Sequence, residues 1–382
     1  MFDLVSKEDL TALLEVAAPY CVSFYVPTHS KGSGVATDPI RLKNLITTAK
    51  DELEQLGVRT PDVAGLLSPV ESLLDDPAFW ARSAQGLAVF ATADGVRQFR
   101  LPGPVREAVM VSDRLWIAPL MPFLDTGDVF FILTLSEKQV QLMRGSRYEV
   151  TELGLGEIPA SSAEVLRFDD REAQLQSHGA DRVGAGQVSA TFHGQGGADA
   201  FEEADQARFL HAVDHGLAGV VGNRSAPLVL AGVEHIVAGF RHLSGHGNIA
   251  ESFISGNPER FSPAELHERA LPLVEADLDA DRLRATETLR SSSKPTVETI
   301  HEALNAASTG RVSALFFPRD EHTWGSYDAE SQTVDEHADR SPGDYDLIDL
   351  AVRETLGHGG SVFAVEAHEI PVDAPIAAML RY

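Results

Sequence analysis

The sequence predicts a mixed α/β chain in three parts, and three observations carry that reading. Short apolar runs of strand length alternate with stretches whose apolar residues recur at helical spacing. Polar or turn-rich seams fall near residues 126 and 291. Hydrophobic residues make up 43% of the 382 and charged residues 23%, a balance that excludes wholesale disorder. The expected parts are residues 1–126, 127–290 and 291–382, each within the usual size of a domain.

The first part opens with a helix over Ser6–Ala18, where Ser6 caps, Asp9 follows three residues on, and Leu10, Leu13, Leu14 and Ala17 form the apolar stripe. CVSFYVP is a strand ended by Pro27, and the polar stretch from Thr28 leads to helices at Pro39–Leu56 and around Val63–Leu74. GLAVFAT and GVRQFRL flank Asp94-Gly95 as a tight hairpin. LWIAPLMPFL carries the chain out of this part.

The second part starts with a buried strand at Val129–Leu135, then alternation through Val140, Leu142 and Arg144 to a Gly145-Ser146 turn. A glycine-punctuated, apolar-poor loop is expected from Pro159 to Gly197. A helix follows over Asp199–Val221, with Phe209, Leu210, Val213, Leu217 and Val220 at helical spacing. APLVLAGV has the continuous apolar character of a strand buried on both faces, and a helix near Val233–Leu243 and a charged helix over Pro263–Arg290 complete the part. The third part reads as helix (Val297–Ala307), strand (RVSALFFP), polar loop, helix (Asp346–Leu356) and strand (SVFAVEA), an α/β/α sandwich.

Charge narrows the function classes. The formal net charge is -26, with -5 in residues 1–126, -10 in 127–275 and -11 in 276–382. Such acidity argues against binding to phosphate backbones or anionic membranes through net charge, while leaving room for a local basic face. One cysteine, Cys21, allows no intramolecular disulfide, and the start MFDLVSKEDL lacks the pattern of a signal peptide. No apolar run approaches ~20 residues, so a cytoplasmic protein without a membrane span is expected.

The loop His193-Gly194-Gln195-Gly196-Gly197 draws most attention. Flanking glycines remove Cβ obstruction, so a glutamine amide or backbone N–H at a loop tip is placed to orient water or an oxyanion. The same pattern also fits an ordinary glycine-rich surface loop. His211 and His215 lie four apart with Asp214 between them, a spacing that superficially resembles H-x-x-E-H peptidases. No third ligand stands at a family spacing, and a solvated helix face is the better reading. His242 and His246 are broken up by Gly245 and Gly247. P-loop, G-x-G-x-x-G, nucleophile-elbow and C-x-x-C patterns are missing, so no metal or other cofactor is expected.

The ordered set KQVQLMRG, FHGQGG, ARFLHAVDHGL, APLVLAGVEH, AASTGRVSALFF, WGSYD, DLIDLAVRETLGHGGSVFAV and IAAMLRY resembles the bacterial archaeo-eukaryotic release factor family, in its third subfamily, relatives of eukaryotic class-1 release factors and Pelota. The resemblance spans residues 127–382 and is looser over 1–126. It implies an RNase H-like central domain and a C-terminal sandwich of the kind found in kink-turn-binding ribosomal proteins. It also implies that the loop before the central helix enters the peptidyl transferase centre, where a Gly-Gly-Gln motif helps water attack the peptidyl-tRNA ester. Here His193 stands where the family has its first glycine, leaving Gly194 alone before Gln195.

The function expected on this resemblance is a ribosome-associated factor in hibernation or rescue, binding the A site with the Gly-Gln loop. Gln195 and His193 are the candidate catalytic pair, and Gly194, Gly196, Gly197, Arg144, Arg147, Arg182 and Arg311 the candidate contacts to rRNA and tRNA. A translational GTPase is the implied delivery partner. Two alternatives stay open: peptidyl-tRNA ester hydrolysis through Gln195, and a metal-dependent hydrolase unrelated to translation that uses His211 and His215.

Overall fold

A computed structural model describes residues 5–29, 33–81, 84–124, 129–165, 195–222, 226–291 and 295–382. The chain is mixed α/β and divides into two compact units, one formed by Met1–Thr126 with Asp281–Tyr382 and one by Gly127–Ala280.

In the first unit, α1 (Lys7–Leu14) starts at a reciprocal cap in which Asp9 N donates to Ser6 Oγ (3.0 Å) and Ser6 N to Asp9 Oδ2 (3.1 Å). The helix stops earlier than the sequence pattern suggests, because β1 begins at Ala17 and runs to Pro27. Pro19 and the β-branched and aromatic residues after it favour extended backbone. Helices α2 (Asp38–Gln55), α3 (Thr60–Glu71) and the one-turn α4 (Pro77–Trp80) follow, then β2 (Gly86–Thr92), β3 (Gly95–Leu101) and β4 (Ala108–Arg114). The sheet order is β3-β2-β1-β4, antiparallel throughout, with Phe24 opposite both Val89 and Val109. Val22, Phe24, Val26, Val89 and Val111 on one face pack against Leu42, Ile46, Leu53 and Leu67 of α2 and α3.

The second unit is built on β5 (Phe130–Leu135), β6 (Val140–Gly145), β7 (Val150–Leu153), β8 (Leu228–Gly232) and β9 (Ile254–Ser255), in the order β7-β6-β5-β8-β9. The β5–β6–β7 meander is antiparallel, whereas β8 and β9 add in parallel, giving the mixed sheet expected of the central domain. One face is covered by α5 (Gln195–Val221) and α6 (Glu234–Leu243), the other by α7 (Pro263–Leu278). The long helix expected over Pro263–Arg290 is two, since α8 (Ala280–Ser291) starts anew after Asp279. Asp279 caps α7 with its N–H on the carbonyls of Glu275 and Asp277, and its carboxylate is drawn into an ion pair with Arg147.

The rest of the first unit holds β10 (Thr296–Val297), α9 (Ile300–Ser308), β11 (Val312–Pro318), β12 (Trp324–Asp328), β13 (Thr333–His337), β14 (Tyr345–Asp346), α10 (Leu347–Gly357), β15 (Ser361–Val365) and β16 (Ala377–Leu380). The main sheet runs β10-β16-β11-β15, with β11 and β15 parallel. Ala314 and Phe316 pack towards Leu289 of α8, and α9 and α10 pack on β11, so helices cover both faces. The stretch read as a polar loop after β11 instead forms a three-stranded sheet, β13-β12-β14. Gly325 makes that pairing fit, because a Cβ there would stand 2.1 Å from the Asp335 carbonyl oxygen. Val297 lies in β10, and Thr299 caps α9 through Glu302 N, so that helix begins three residues later than its pattern suggests. Among the described residues no helix is long and apolar enough to cross a membrane.

Candidate functional site

The glutamine singled out in the sequence stands at the head of α5, and the local sequence explains why that helix is held firmly. Phe209, Leu210, Val213, Leu217 and Val221 are buried against Phe131, Leu133, Leu142, Leu228 and Leu230 of the sheet. Each such side chain contributes about 1.5–3 kcal/mol of transfer free energy. At Gly216 the helix comes so close to the chain before it that a Cβ would meet Ile158 N at 2.6 Å. Two residues before it, the Asp214 carboxylate accepts from Ser244 Oγ (2.6 Å) and Gly245 N (3.2 Å), tying α5 to the turn that ends α6. The anchored stretch starts at Phe209. Residues 204–208 are all at least partly exposed, and Gln195 lies about 20 Å along the axis from Phe209 at ~1.5 Å per residue.

The helix begins at Gln195, earlier than the expected Asp199, so the backbone of Gln195, Gly196 and Gly197 belongs to its first turn. His193, Gly194 and Arg182 lie outside the described residues, as does most of the loop expected from Pro159 to Gly197. Arg144 is an exposed residue of β6, and Arg147 sits in the β6–β7 turn with its guanidinium paired to Asp279. Arg311 belongs to the other unit, where its Nε donates to Thr309 Oγ1 at 2.9 Å beside the start of β11.

His211 and His215 are both exposed on α5, while Asp214 between them is occupied by the Ser244 turn. His246 is buried, its Nε2 2.8 Å from the Ala226 carbonyl oxygen. Among the described residues no group of three or more His, Cys, Asp or Glu side chains is placed to hold a metal ion.

A second constellation, not singled out from sequence, lies at the N-terminus of α10. Asp346 is 2% exposed and caps the helix by accepting from Ile348 N (3.1 Å). Its carboxylate also accepts from Trp116 Nε1 (3.1 Å), His322 Nδ1 (2.9 Å) and Thr323 N (3.4 Å). The His322 ring lies edge-on to Trp116 and beside Trp324, with centroids 5.1 and 5.2 Å away. One turn on, Asp349 Oδ1 accepts from Ile117 N (2.8 Å) and Ala118 N (2.7 Å). Burial pushes the Asp349 carboxyl up to about 7, with Arg353 pulling it back and Asp346 adding to the rise. Arg353 donates to the carbonyls of Leu115 (2.9 Å) and Leu14 (2.7 Å). The spacing of Asp346, Asp349 and Arg353 marks one helix face in the sequence, but the partners that all three find in Leu14 and in residues 115–118 lie more than 220 residues away along the chain.

Residues 130–276, less than half of the chain, match the family model described as bacterial archaeo-eukaryotic release factor family 7. No curated protein matches the sequence significantly. Solved structures that match include archaeal Pelota, bound to the ribosome with ABCE1, at 10% identity over 98% of this chain and 94% of that one, with a TM-score of 0.36. An archaeal translation termination factor, aRF1, matches at 15% identity over 98% and 96%, with a TM-score of 0.24. Pelota from Archaeoglobus fulgidus matches at 11% identity over 98% and 92%, with a TM-score of 0.29. Residues 130–276 are thus similar to the bacterial archaeo-eukaryotic release factors, and the family model matched there is the seventh, where the sequence motifs pointed to the third.

Proposed function

We propose that the protein is a ribosome-associated, release-factor-like factor of the cytoplasm that acts in ribosome hibernation or rescue. In this reading it occupies the A site with its Gly-Gln loop directed at the peptidyl transferase centre, and a translational GTPase is its delivery partner. The observation that carries the reading is the glycine-flanked Gln195 at the head of a helix anchored along its far half, inside the segment that matches the release-factor family. A rigid support is what a loop needs if it is to place one amide at a distant centre.

Occupation is favoured over hydrolysis because His193 replaces the first glycine of the motif. Arg147, already paired with Asp279, has little charge to offer to a phosphate. Binding in this reading therefore rests on shape and on backbone donors more than on net charge, which is -26.

The test has two arms. Wild-type protein is expected to co-sediment with ribosomes at low ionic strength, and failure to do so would remove the translation reading. Peptide release from stalled ribosomes is then compared between wild type and Gln195→Ala. No release by either protein, with sedimentation intact, is the expected result. Release that Gln195→Ala lowers by about 10²-fold or more would instead establish ester hydrolysis through this amide.

A further inference from the structure

Beside the Asp346–His322 pair, and outside the segment assigned above, the first unit carries a cleft of about 340 Å³. That volume is at the lower end of the range for small-ligand sites. Its floor is apolar, formed by Ile300, Ile348 and Ile376, all buried. Its rim carries Glu298, Glu321 and Glu336, all exposed, and neither lysine nor arginine lines it. Among the described residues none of the three carboxylates has a side-chain partner.

His322 supplies the directional element. Asp346 accepts from three fixed N–H groups, Trp116 Nε1, Thr323 N and Ile348 N, and a carboxylate is acceptor-only, so Nδ1 of His322 is the donor in their pair. A neutral imidazole donating at Nδ1 presents a lone pair at Nε2, on the side of the ring turned away from Asp346, and His322 lines the cleft. Trp116 and Trp324 beside the ring hold it in that orientation. Rim carboxylates alone would be ordinary solvated charge. The concave apolar floor and the fixed acceptor make them a receptor with one complementary class of ligand, a cation carrying N–H donors on an aliphatic stem.

We propose that this cleft binds a guanidinium group, its stem on the isoleucine floor and its N–H groups shared between the glutamates and His322 Nε2. A planar fork of five donors suits several acceptors better than a compact ammonium does. The group is supplied either by an arginine side chain of a protein partner or by a free alkylguanidine.

Trp116 and Trp324 are two of the chain's three tryptophans, so intrinsic fluorescence reads the site directly. The full-length protein is titrated with n-butylguanidinium, with a short peptide containing one arginine, and with the same peptide carrying citrulline, its neutral isostere. A saturable change with the cationic probes, absent with citrulline, is expected. Glu321→Gln combined with Glu336→Gln should weaken it about tenfold without altering the fold, since both side chains are exposed. Tighter binding of the peptide than of butylguanidinium would assign a protein partner, and equal binding a small molecule. Equal response to arginine and citrulline, unchanged affinity in the double variant, or no response to any probe would each overturn the proposal.

Discussion

Both faces of the central sheet are closed by aliphatic and aromatic side chains, Phe209 and Leu217 on one and Leu266 and Val274 on the other. The seam that joins residues 1–126 to 281–382 in the other unit also carries buried charge: Asp346, Asp349 and Arg353 against Trp116, Ile117 and Leu115, and Arg340 Nη2 on Glu52 Oε1 at 2.6 Å. Apolar burial is strong but non-directional, and it tolerates sliding. Backbone N–H groups on a buried carboxylate and backbone carbonyls on a buried guanidinium are satisfied in one register only. The contiguous domain needs no such register, because its strands and helices follow one another closely in sequence. The discontinuous unit must find one docking between segments about 150 residues apart, and its polar seam distinguishes that docking from near misses.

Arg353→Met is the strongest way to break the contrast. It removes two hydrogen bonds to buried carbonyls, leaves Asp349 without its cationic neighbour, and is expected to cost about 3–5 kcal/mol. All three tryptophans lie in this unit, so chemical denaturation followed by their fluorescence isolates the effect from the central domain. The loss should be larger at pH 8 than at pH 5, since at low pH the neighbouring carboxyl is neutral. A loss under about 1 kcal/mol, within the range of ordinary surface substitutions, would make the seam no more than a solvated contact that happens to be buried.

Gly216→Ala probes the central domain in the same spirit but with a smaller effect. A methyl at 2.6 Å from Ile158 N and 2.7 Å from Glu157 C must displace backbone on both sides, at a cost of about 1–3 kcal/mol. Amide hydrogen exchange should show the loss in α5 and the Leu155–Ile158 turn, while the tryptophan-reported unit stays unchanged. Loosening across the whole chain would mean that the two units do not fold independently.

The same contrast decides what the sequence made legible. The strands at 130–135, 228–232 and 312–318 are continuous apolar runs, and helices such as α6 and α9 show clean 3.6-residue stripes. The β12–β13–β14 sheet escaped notice because its strands are short and polar, held by backbone pairing and one glycine more than by an apolar face. The break at Asp279 is set by a pairing with Arg147 that helical periodicity does not encode. At the candidate site, Gln195 is visible through its glycines and the order of neighbouring motifs. The Asp346–His322–Trp116 cluster is not visible, because a buried carboxylate looks like any helix cap until its distant partners are brought to it.

Asp349 gives the smallest effect near neutrality, and the one that discriminates best between charge and shape at the seam. Its carboxyl is fully buried and titrates at about 7 in the folded protein, against an ordinary value of 3.8. Between those values the folded state keeps a proton that the unfolded chain has released. Stability contributed by this group is therefore complete below about pH 4, declines as pH rises towards 7, and levels off above it. Asp349→Asn removes the titration and keeps an oxygen for the N–H groups of Ile117 and Ala118. The variant is expected to gain on wild type as pH is raised from 5 to 8, giving a flatter stability curve in denaturation experiments. If the two stability curves run parallel over the same range, the carboxylate is ionised in the folded state throughout. The seam would then be held by its charge, and the register argument would have to be made from Arg353 alone.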